Sequence, residues 1–398
     1  MSLKLHDLFA ERARHVPPPM YGPAPMRNGT LISFSYGLAD PDLFPREDLL
    51  AATAAVLAED AADALNYGPS YPGLRGQIIE RLRAQHIEAE MENVIVTYGS
   101  SQILGLLPQV FVEPGDTVLI EGPSFMGAVR HFSDAGARLI TVPTDTQGMN
   151  IDALESILRD LRRQNIRPKF IYSIPTFQNP TGTTMPLERR TRLLELASEF
   201  GVLVVEDDAY GDLRFEGQPV PHLAALDRDG WVLRLGTFSK ILAPGLRLGW
   251  AYGHPDVIQR FNFMKSEGSS GPFITRVVAR YSAEGRLEAH IKKLSEHYRH
   301  KRDVMQAAIA RHFPSDVQAL HPEGGFFLWC KLPADLSATT LARATEEQGV
   351  VVMPGTRCFA DGQGDDAIRL AFSFLSVADI EEGIARIGQC MHDLRARG

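Results

Sequence analysis

Apolar and helical segments alternate along the central part of the chain. Short runs rich in β-branched residues, at 94–96, 117–120, 139–142, 170–174, 202–205 and 232–235, are separated by segments with helical periodicity. Strands buried on both faces give such runs, and their alternation with helices is typical of a mostly parallel sheet covered by helices on both faces. The pattern therefore predicts a large α/β domain over residues 46–275.

The two ends of the chain have different patterns. Residues 1–45 form an arm, with a short helical pattern up to about Arg14 and then a proline-rich run at 16–25, which cannot form helix or ladder. We expect this arm to pack with a smaller domain. A helical pattern from about 272 to 312 leads into that domain, α+β and spanning 276–398, with strands at 325–329 and 367–372.

The helical pattern near residue 300 is densely charged. Three histidines fall in it among lysines and acids: His290, His297 and His300. This composition predicts a solvated helix face, and the spacing of carboxylates does not suggest a metal site.

Composition narrows the class of partner. The net charge is −8 over 398 residues, which argues against general binding of nucleic acid or anionic membranes. The three cysteines have no Cys-x-x-Cys spacing, so neither a disulfide framework nor a zinc site is indicated. There is no signal-peptide pattern and no apolar run of membrane-spanning length. We expect a cytoplasmic protein that acts on small molecules.

A lysine and an arginine follow the run at 232–235. Lys240 ends the segment Gly-Thr-Phe-Ser-Lys, and Arg247 comes seven positions later. A lysine whose pKa is lowered by desolvation or by a neighbouring cation can hold a carbonyl compound as a Schiff base, and an arginine suits a phosphate. The pair suggests a phosphorylated aldehyde cofactor, pyridoxal 5'-phosphate.

Polar residues after two other runs suit the ring of this cofactor. Asp207, within the acids that follow the run at 202–205, can keep a pyridine nitrogen protonated, and Tyr210 can reach the phenolic oxygen. Asn179, after the run at 170–174, can donate an amide hydrogen bond to the same oxygen. Each has an ordinary alternative, because acids after a strand serve as helix caps and Asn-Pro-Thr-Gly is a favourable turn.

Two further sites suit the phosphate and the ring face. Ser100 and Ser101 lie between a strand and a helical run, where hydroxyls and backbone N–H groups favour a phosphate, although either serine can be a plain N-cap. Phe125 follows the next strand and can stack on a flat ring, although a phenylalanine there is more often core.

Taken together, these motifs carry a family resemblance. Three signatures stand out: Thr-Phe-Gln-Asn-Pro-Thr-Gly at 176–182, Glu-Asp-Asp-Ala-Tyr-Gly-Asp-Leu-Arg-Phe at 206–215, and Ser-Lys-Ile-Leu-Ala-Pro-Gly-Leu-Arg at 239–247. Essentially the whole chain resembles the class I/II aminotransferases of PLP-dependent transferase fold type I. Among them it is most similar to the 2-aminoadipate and kynurenine-type branch and to the aminotransferase-like half of MocR-type regulators.

The resemblance implies a role for each cofactor residue. Lys240 would form the internal aldimine and shuttle the proton, and Asp207 would pair with the pyridine nitrogen. The phenolic oxygen would be contacted by Tyr210 and Asn179. The phosphate and the ring face would be held by Ser100, Ser101, Ser239, Arg247 and Phe125.

The resemblance also implies how substrate and a second subunit are bound. Arg369 would grip the substrate's alpha carboxylate, Asn179 would contact the substrate as well as the cofactor, and Gly37 would leave room for the substrate. Tyr67 would reach the phosphate of the neighbouring subunit, so an obligate homodimer with active sites at the subunit interface is expected. The chain departs from the branch in its proline-rich run, where relatives have a helix over the pocket, and in Phe125, where a tyrosine is usual.

Four functions fit these residues to different degrees. The leading one is a transaminase that moves the amino group of an L-amino acid to a 2-oxo acid. The second keeps the cofactor but carries out elimination, replacement, cyclisation or oxidation of an amino acid. A MocR-type regulator is disfavoured because the family-like segment begins by about Ser33, and a Ser239–Lys240 dyad hydrolase leaves Arg247 unexplained.

Overall fold

The computed structural model describes residues 5–9, 31–265 and 268–397. A short 3-10 helix, Leu5–Leu8, lies in the first of these ranges. The proline-rich run at 16–25 and the end of the helical pattern near Arg14 lie outside the described residues.

The described residues form strands that fall into three sheets. In chain order the strands are β1 Ile32–Ser33, β2 Val94–Thr97, β3 Thr117–Gly122, β4 Arg138–Asp145, β5 Gly148–Met149, β6 Phe170–Ser173, β7 Leu203–Asp208, β8 Val232–Thr237, β9 Gly249–Tyr252, β10 Gln318–Ala319, β11 Phe327–Lys331, β12 Val350–Val351, β13 Met353–Pro354 and β14 Ala367–Ala371. The six apolar runs predicted as strands correspond to β2, β3, β4, β6, β7 and β8.

The largest sheet has the order β2-β9-β8-β7-β6-β3-β4-β5. The pairs β3–β4, β3–β6, β6–β7 and β7–β8 are parallel, whereas β9 runs antiparallel to both of its neighbours. The prediction of a mostly parallel sheet is therefore confirmed. Strand β9 was not predicted from the sequence, because its four residues directly follow a turn at Arg247 and are not part of a longer apolar run.

Helices cover both faces of this sheet. The α-helices of the described residues are Arg46–Glu59, Ala61–Ala64, Pro72–Ala84, Ser100–Phe111, Met126–Asp134, Ile151–Arg163, Leu187–Phe200, Leu223–Leu226, Pro255–Met264, Pro272–Ser282, Arg286–His312, Ala338–Glu347 and Val377–Arg397. Side chains alternate across each strand: Leu119 packs in one core, while Val118 and Ile120 pack in the other. This explains why the strands read as continuous apolar runs.

The helical pattern from about 272 to 312 forms two helices instead of one. The break is the 3-10 turn Ala283–Gly285, where Glu284 and Gly285 have φ of 62° and 74°. A left-handed backbone cannot continue a right-handed helix, so the chain changes direction here.

The prediction that the charged residues of the second helix form a solvent-exposed face is also wrong in part. His290 is 8% exposed and Lys301 only 2% exposed. Charged residues at helical spacing can be buried where a distant part of the chain supplies partners, and Lys301 has such a partner in Asp40.

The smaller domain is built on an antiparallel sheet of order β10-β11-β14-β13. Its strand β14 carries Arg369, which pairs in register with Trp329 on one side and Met353 on the other. Strand β1 joins β12 in a separate parallel pair and so connects residues 32–33 to this domain. Among the described residues, no helix combines the length and apolar character that crossing a membrane requires.

Candidate active site

The sequence-predicted site residues converge on one cavity of about 390 Å³. A volume of this size suits a small-molecule ligand. Of the predicted residues, those that line the cavity are Gly37, Ser100, Ser101, Phe125, Asn179, Asp207, Tyr210, Ser239, Lys240, Arg247 and Arg369.

Strand direction explains this convergence. Ser100, Phe125 and Asn179 follow β2, β3 and β6, respectively, while Asp207 lies at the end of β7 and Lys240 follows β8. These strands run in the same direction, so their carboxyl ends meet at one edge of the sheet, where ligands of α/β proteins bind. Arg369 comes from the smaller domain, so the cavity lies between the two.

Lys240 contributes an amine to the cavity, and its surroundings disfavour the protonated, positively charged form of that amine. Its Nζ donates a hydrogen bond to the carbonyl oxygen of Gly37 at 2.8 Å. Burial, together with the positive charges of Arg369 and Arg247, lowers the pKa of Lys240 to about 8, and the negative charge of Asp207 offsets part of this shift. An amine with such a pKa is partly neutral near neutral pH and can therefore act as a nucleophile.

Asp207 presents a buried carboxylate with an unused acceptor. Burial raises its pKa to about 6, and the Tyr172 hydroxyl opposes that rise by donating to Oδ2 at 2.5 Å. Within the described part of the chain, Oδ1 is buried and has no hydrogen-bond partner. Leaving a buried acceptor unsatisfied is costly, so this oxygen fits a ligand that brings a donor, such as the protonated nitrogen of a pyridine ring.

Arg369 and Asn179 contact each other in the lining of the cavity. One Arg369 nitrogen donates to Asn179 Oδ1 at 2.8 Å, and another donates to the carbonyl oxygen of Ser35 at 2.5 Å. The guanidinium lies over the Phe327 ring, 4.3 Å from its centroid. Its Nε is buried without a partner among the described residues, so the arginine retains a donor.

The part of the cavity that is predicted to bind the phosphate is formed by the start of a helix, against which the backbone of another segment packs closely. The helix Ser100–Phe111 begins after Gly99 with no side-chain cap, so its first N–H groups remain available to an anion. A side chain at Gly249 would place its Cβ 2.5 Å from the Ser100 nitrogen, which explains a glycine there. The cavity lining adds Ser101, Ser239 and Arg247 to this corner.

Two aromatic walls depend on glycines. A Cβ at Gly127 would lie 2.5 Å from the Phe125 ring, and one at Gly37 would lie 2.3 Å from the Phe327 ring. The absence of a side chain at these glycines allows the tip of each ring to approach the backbone closely. Phe125 therefore presents a ring to the cavity, as its predicted stacking role requires.

Tyr67 is the predicted site residue that the structure does not bring into the cavity. Its side chain is fully exposed in the single chain. The expectation assigned it to the phosphate of a neighbouring subunit, so its role stays a prediction.

The sequence family agrees with this geometry. The profile described as aminotransferase class I and II matches residues 38–387, most of the chain. The chain belongs to this family. It is 38% identical over 372 residues to a 2-aminoadipate transaminase of Thermus thermophilus, covering 92% of this chain and 91% of the relative. It is 37% identical over 368 residues to aromatic-amino-acid aminotransferase 1 of Thermococcus litoralis, covering 91% and 88%.

A solved structure also matches the fold of this aminotransferase. The kynurenine aminotransferase of Pyrococcus horikoshii, in complex with PMP, superposes with a TM-score of 0.92 at 34% identity, covering 98% of both chains. The predicted fold type, cofactor and reaction class are confirmed: the protein is a pyridoxal phosphate-dependent aminotransferase. Elimination, replacement, cyclisation and oxidation are not favoured, and a Ser239–Lys240 hydrolase gains no support.

Sequence reasoning missed several residues that shape the aminotransferase site. Tyr172 lies inside an apolar run, where a tyrosine is ordinarily interpreted as a core residue. The signal for its role is its position on the strand that pairs with β7, which carries Asp207. Thr237 Oγ1 donates to Ser239 Oγ at 3.0 Å and accepts from the Ser239 nitrogen, which fixes that serine. Phe327 lies on a strand of the smaller domain, distant in sequence from the cofactor motifs.

A buried glutamate links two of the loops around the cavity. Glu121 accepts hydrogen bonds from Ser173 Oγ at 2.6 Å and from Gln178 Nε2 at 3.1 Å. Gln178 Nε2 also donates to the carbonyl oxygen of Pro123 at 2.7 Å. The loop that carries Asn179 is thereby held against the loop that precedes Phe125. Burial raises the pKa of Glu121, and these donors offset part of that rise.

Proposed function

We propose that Lys240 holds the cofactor covalently and moves the alpha proton of an amino acid substrate. When bound, pyridoxal phosphate supplies an aldehyde carbon that reacts with amines and a ring that accepts electrons from the substrate's alpha carbon. The observation that carries this proposal is the pairing of two groups in one cavity: an amine with a lowered pKa on Lys240 and an unpartnered, buried oxygen on Asp207.

The other residues hold and orient the ring. Asp207 Oδ1 accepts from the ring nitrogen and keeps it protonated, while Asn179 and Tyr210 contact the phenolic oxygen. Phe125 stacks on the ring. The helix start, with its aligned N–H groups and dipole, binds the phosphate together with Ser100, Ser101, Ser239 and Arg247.

The substrates are an L-amino acid and a 2-oxo acid. Arg369 binds the alpha carboxylate through its planar fork, which suits two carboxylate oxygens, and its unpartnered Nε supports this role. Asn179 orients this arginine, and Gly37 leaves room beside the substrate. The names of the two curated relatives make 2-aminoadipate and the aromatic amino acids the first compounds to test.

The active unit is a homodimer in which Tyr67 reaches the phosphate of the neighbouring subunit. The exposure of apolar side chains supports this arrangement, since Leu50 is 70% exposed, Leu65 is 67% exposed and Tyr67 is fully exposed in the single chain.

The proposal also includes the domain organisation of the chain and the compartment in which the protein works. Residues 1–45 form an arm, 46–275 the cofactor-binding domain, and 276–398 the interdomain helix and smaller domain. The protein works in the cytoplasm on small molecules, without nucleic acid or membrane partners. Three buried cysteines without a disulfide, Cys330, Cys358 and Cys390, support a reducing compartment.

A half-reaction experiment tests the reaction. The holoenzyme is mixed with single amino acids in the absence of a 2-oxo acid, and the cofactor spectrum is followed while the released acid is measured. We expect conversion of the cofactor to its amine form with one equivalent of 2-oxo acid, and no conversion in Lys240→Ala. Release of product with the cofactor returned unchanged would contradict transamination.

Mixed dimers test the assignment of Tyr67. Tyr67→Ala and Lys240→Ala chains are prepared separately, then unfolded together and refolded. If Tyr67 serves the neighbouring subunit, each mixed dimer has one native site, and activity exceeds that of either parent. If Tyr67 serves its own subunit, or the protein is a fully active monomer, mixing restores nothing.

A further inference from the structure

A short segment crosses the substrate side of the cavity and contacts two of the proposed active-site cations, Lys240 and Arg369. This crossing segment comprises residues 34–40. Its Ser35 carbonyl oxygen accepts from Arg369 at 2.5 Å, and its Gly37 carbonyl oxygen accepts from Lys240 Nζ at 2.8 Å. The position of this backbone therefore affects the two side chains that are proposed to bind and to react.

The end of the crossing segment is held by a buried ion pair. Lys301 Nζ lies 2.6 Å from Asp40 Oδ2, and each side chain is only 3% exposed. The same Nζ donates to the carbonyl oxygen of Ser373 at 3.0 Å, and Ser373 Oγ donates to the carbonyl oxygen of Leu38 at 2.7 Å. Lys301 thus connects Asp40 directly, and Leu38 through Ser373, to the long helix Arg286–His312.

Both oxygens of the Asp40 carboxylate have further partners. His297 Nε2 lies 3.1 Å from Oδ2, and the Asp42 backbone nitrogen donates to Oδ1 at 3.0 Å. The Asp40 backbone nitrogen donates to the Tyr298 hydroxyl at 3.0 Å. A buried charge pair is tolerated when its remaining hydrogen-bonding positions are satisfied in this way, and such a network has one preferred geometry.

We propose that Lys301 is a positioning residue for this site: through Asp40 and Ser373 it sets where the Gly37 carbonyl oxygen lies relative to the Lys240 amine. Only two residues lie between Gly37 and Asp40, and one of them, Leu38, is itself held by Ser373, so the backbone has little freedom to move. A displacement of Asp40 is transmitted to Gly37 and hence to the substrate side of Lys240. This inference rests on the proposed roles of Lys240 and Gly37.

A purely structural role for Lys301 has to be separated from positioning. The chain offers a matched control in Arg302, which is on the same helix and is 1% exposed. Its guanidinium pairs with Glu216 at 2.8 Å and donates to the Pro322 carbonyl oxygen at 2.6 Å. None of the hydrogen bonds or ion pairs of Arg302 within the described chain involves the crossing segment.

The test compares Lys301→Met with Arg302→Met as holoenzymes. Cofactor affinity is measured by absorbance titration, and the rate of the amino acid half-reaction is measured in single turnover at saturating substrate. We expect Lys301→Met to slow the half-reaction by about 10-fold to 100-fold, because misplacement of a reacting group by about 1 Å can cost about 100-fold. The cofactor affinity of Lys301→Met should change by less than about threefold, because the residues proposed to hold the ring and the phosphate lie outside the crossing segment. Both properties of folded Arg302→Met should change equally little, because the contacts of Arg302 do not reach that segment.

Two further variants keep the inference testable if Lys301→Met does not fold. Ser373→Ala removes only the hydroxyl that holds Leu38 and should slow the same step by a smaller factor, again with cofactor affinity retained. Lys301→Arg retains the charge and should recover part of the rate. Wild-type rates in Ser373→Ala and Lys301→Met, or equal losses of rate in Lys301→Met and Arg302→Met, would overturn the proposal. If the wild-type cofactor is not converted by any amino acid, the proposed function fails instead.

Discussion

The Tyr172 hydroxyl donates a hydrogen bond to Oδ2 of Asp207, and the other oxygen of that carboxylate is buried without a partner among the described residues. This arrangement orients the carboxylate and favours its charged form against the cost of burial. The tyrosine thereby prepares Asp207 for a positively charged donor.

Replacement of Tyr172 by phenylalanine should weaken cofactor binding. The loss of the hydroxyl makes Asp207 harder to ionise, and we expect affinity for pyridoxal phosphate to fall about 10-fold to 100-fold, since a hydrogen bond to a charged group contributes about 1.5–3 kcal/mol. Absorbance titration of the apoprotein measures this affinity. Tyr252→Phe is a matched control, because that hydroxyl donates to the Glu88 carbonyl oxygen and Tyr252 is not among the cavity residues. Equal affinities in wild type and Tyr172→Phe would refute the proposed role.

Removal of the Asp207 charge should slow the chemical step. Asp207→Asn cannot keep a ring nitrogen protonated, and we expect the single-turnover rate to fall roughly 100-fold to 1,000-fold, in line with the roughly 3–5 kcal/mol cost of removing one partner of a buried charge pair. The control is Asp208→Asn, whose carboxylate pairs with Arg234 at 2.6 Å. This control should lower the thermal midpoint and retain most of the rate. A fast Asp207→Asn enzyme would exclude the assignment.

Cofactor attachment should depend on pH through Lys240. Only the neutral amine is nucleophilic, and the pKa of Lys240 is lowered to about 8. The rate of covalent attachment to the apoprotein should therefore rise about tenfold per pH unit below pH 8 and level off above it. Arg369→Gln removes a positive charge that disfavours the ammonium, so its midpoint should move to higher pH. Stopped-flow absorbance between pH 6 and about 10 provides the profile; a midpoint near that of an ordinary lysine would contradict this environment.

Gly37→Ala should disturb substrate binding through Phe327. The new Cβ would lie 2.3 Å from the Phe327 ring, which must move from beneath the Arg369 guanidinium. We expect the amino acid KM to rise about 5-fold to 100-fold, as overpacking typically costs about 1–3 kcal/mol. Steady-state kinetics of Gly37→Ala and of Gly37→Ala/Phe327→Leu provide the comparison. The smaller leucine should recover part of the loss, and an unchanged KM in the single variant would show that the site tolerates a side chain there.

The strand-end residues were predictable because strand direction is readable from local patterns. Alternating apolar and helical segments indicate parallel strands, and parallel strands bring their carboxyl ends together, so residues after separate runs, such as Asn179 and Lys240, could be assigned to one site. The family signatures then supplied individual roles. The domain of Arg369 was also predicted, but its contact with Asn179 joins residues 190 positions apart.

Other features depend on contacts that local patterns do not contain. Lys301 was expected on a solvated face because its sequence neighbours are charged, yet its partner Asp40 is 261 positions away. Tyr172 is hidden in an apolar run because its hydroxyl matters only beside β7. Strand β9 is too short to be distinguished from the turn that precedes it. For Lys301 and Tyr172, the partner that decides the role of the side chain is at least 35 positions away in sequence.

The proposed role of Lys240 is tested by locating the residue to which the cofactor is attached. The holoenzyme is reduced with borohydride, which fixes a lysine-linked pyridoxal phosphate irreversibly, and is then digested for peptide mass spectrometry. If Lys240 holds the cofactor, the added mass is on Lys240 alone, and the Lys240→Ala protein prepared in the same way lacks it. Attachment to a different lysine, or no attachment in a protein that still transaminates, would exclude Lys240 as the covalent anchor.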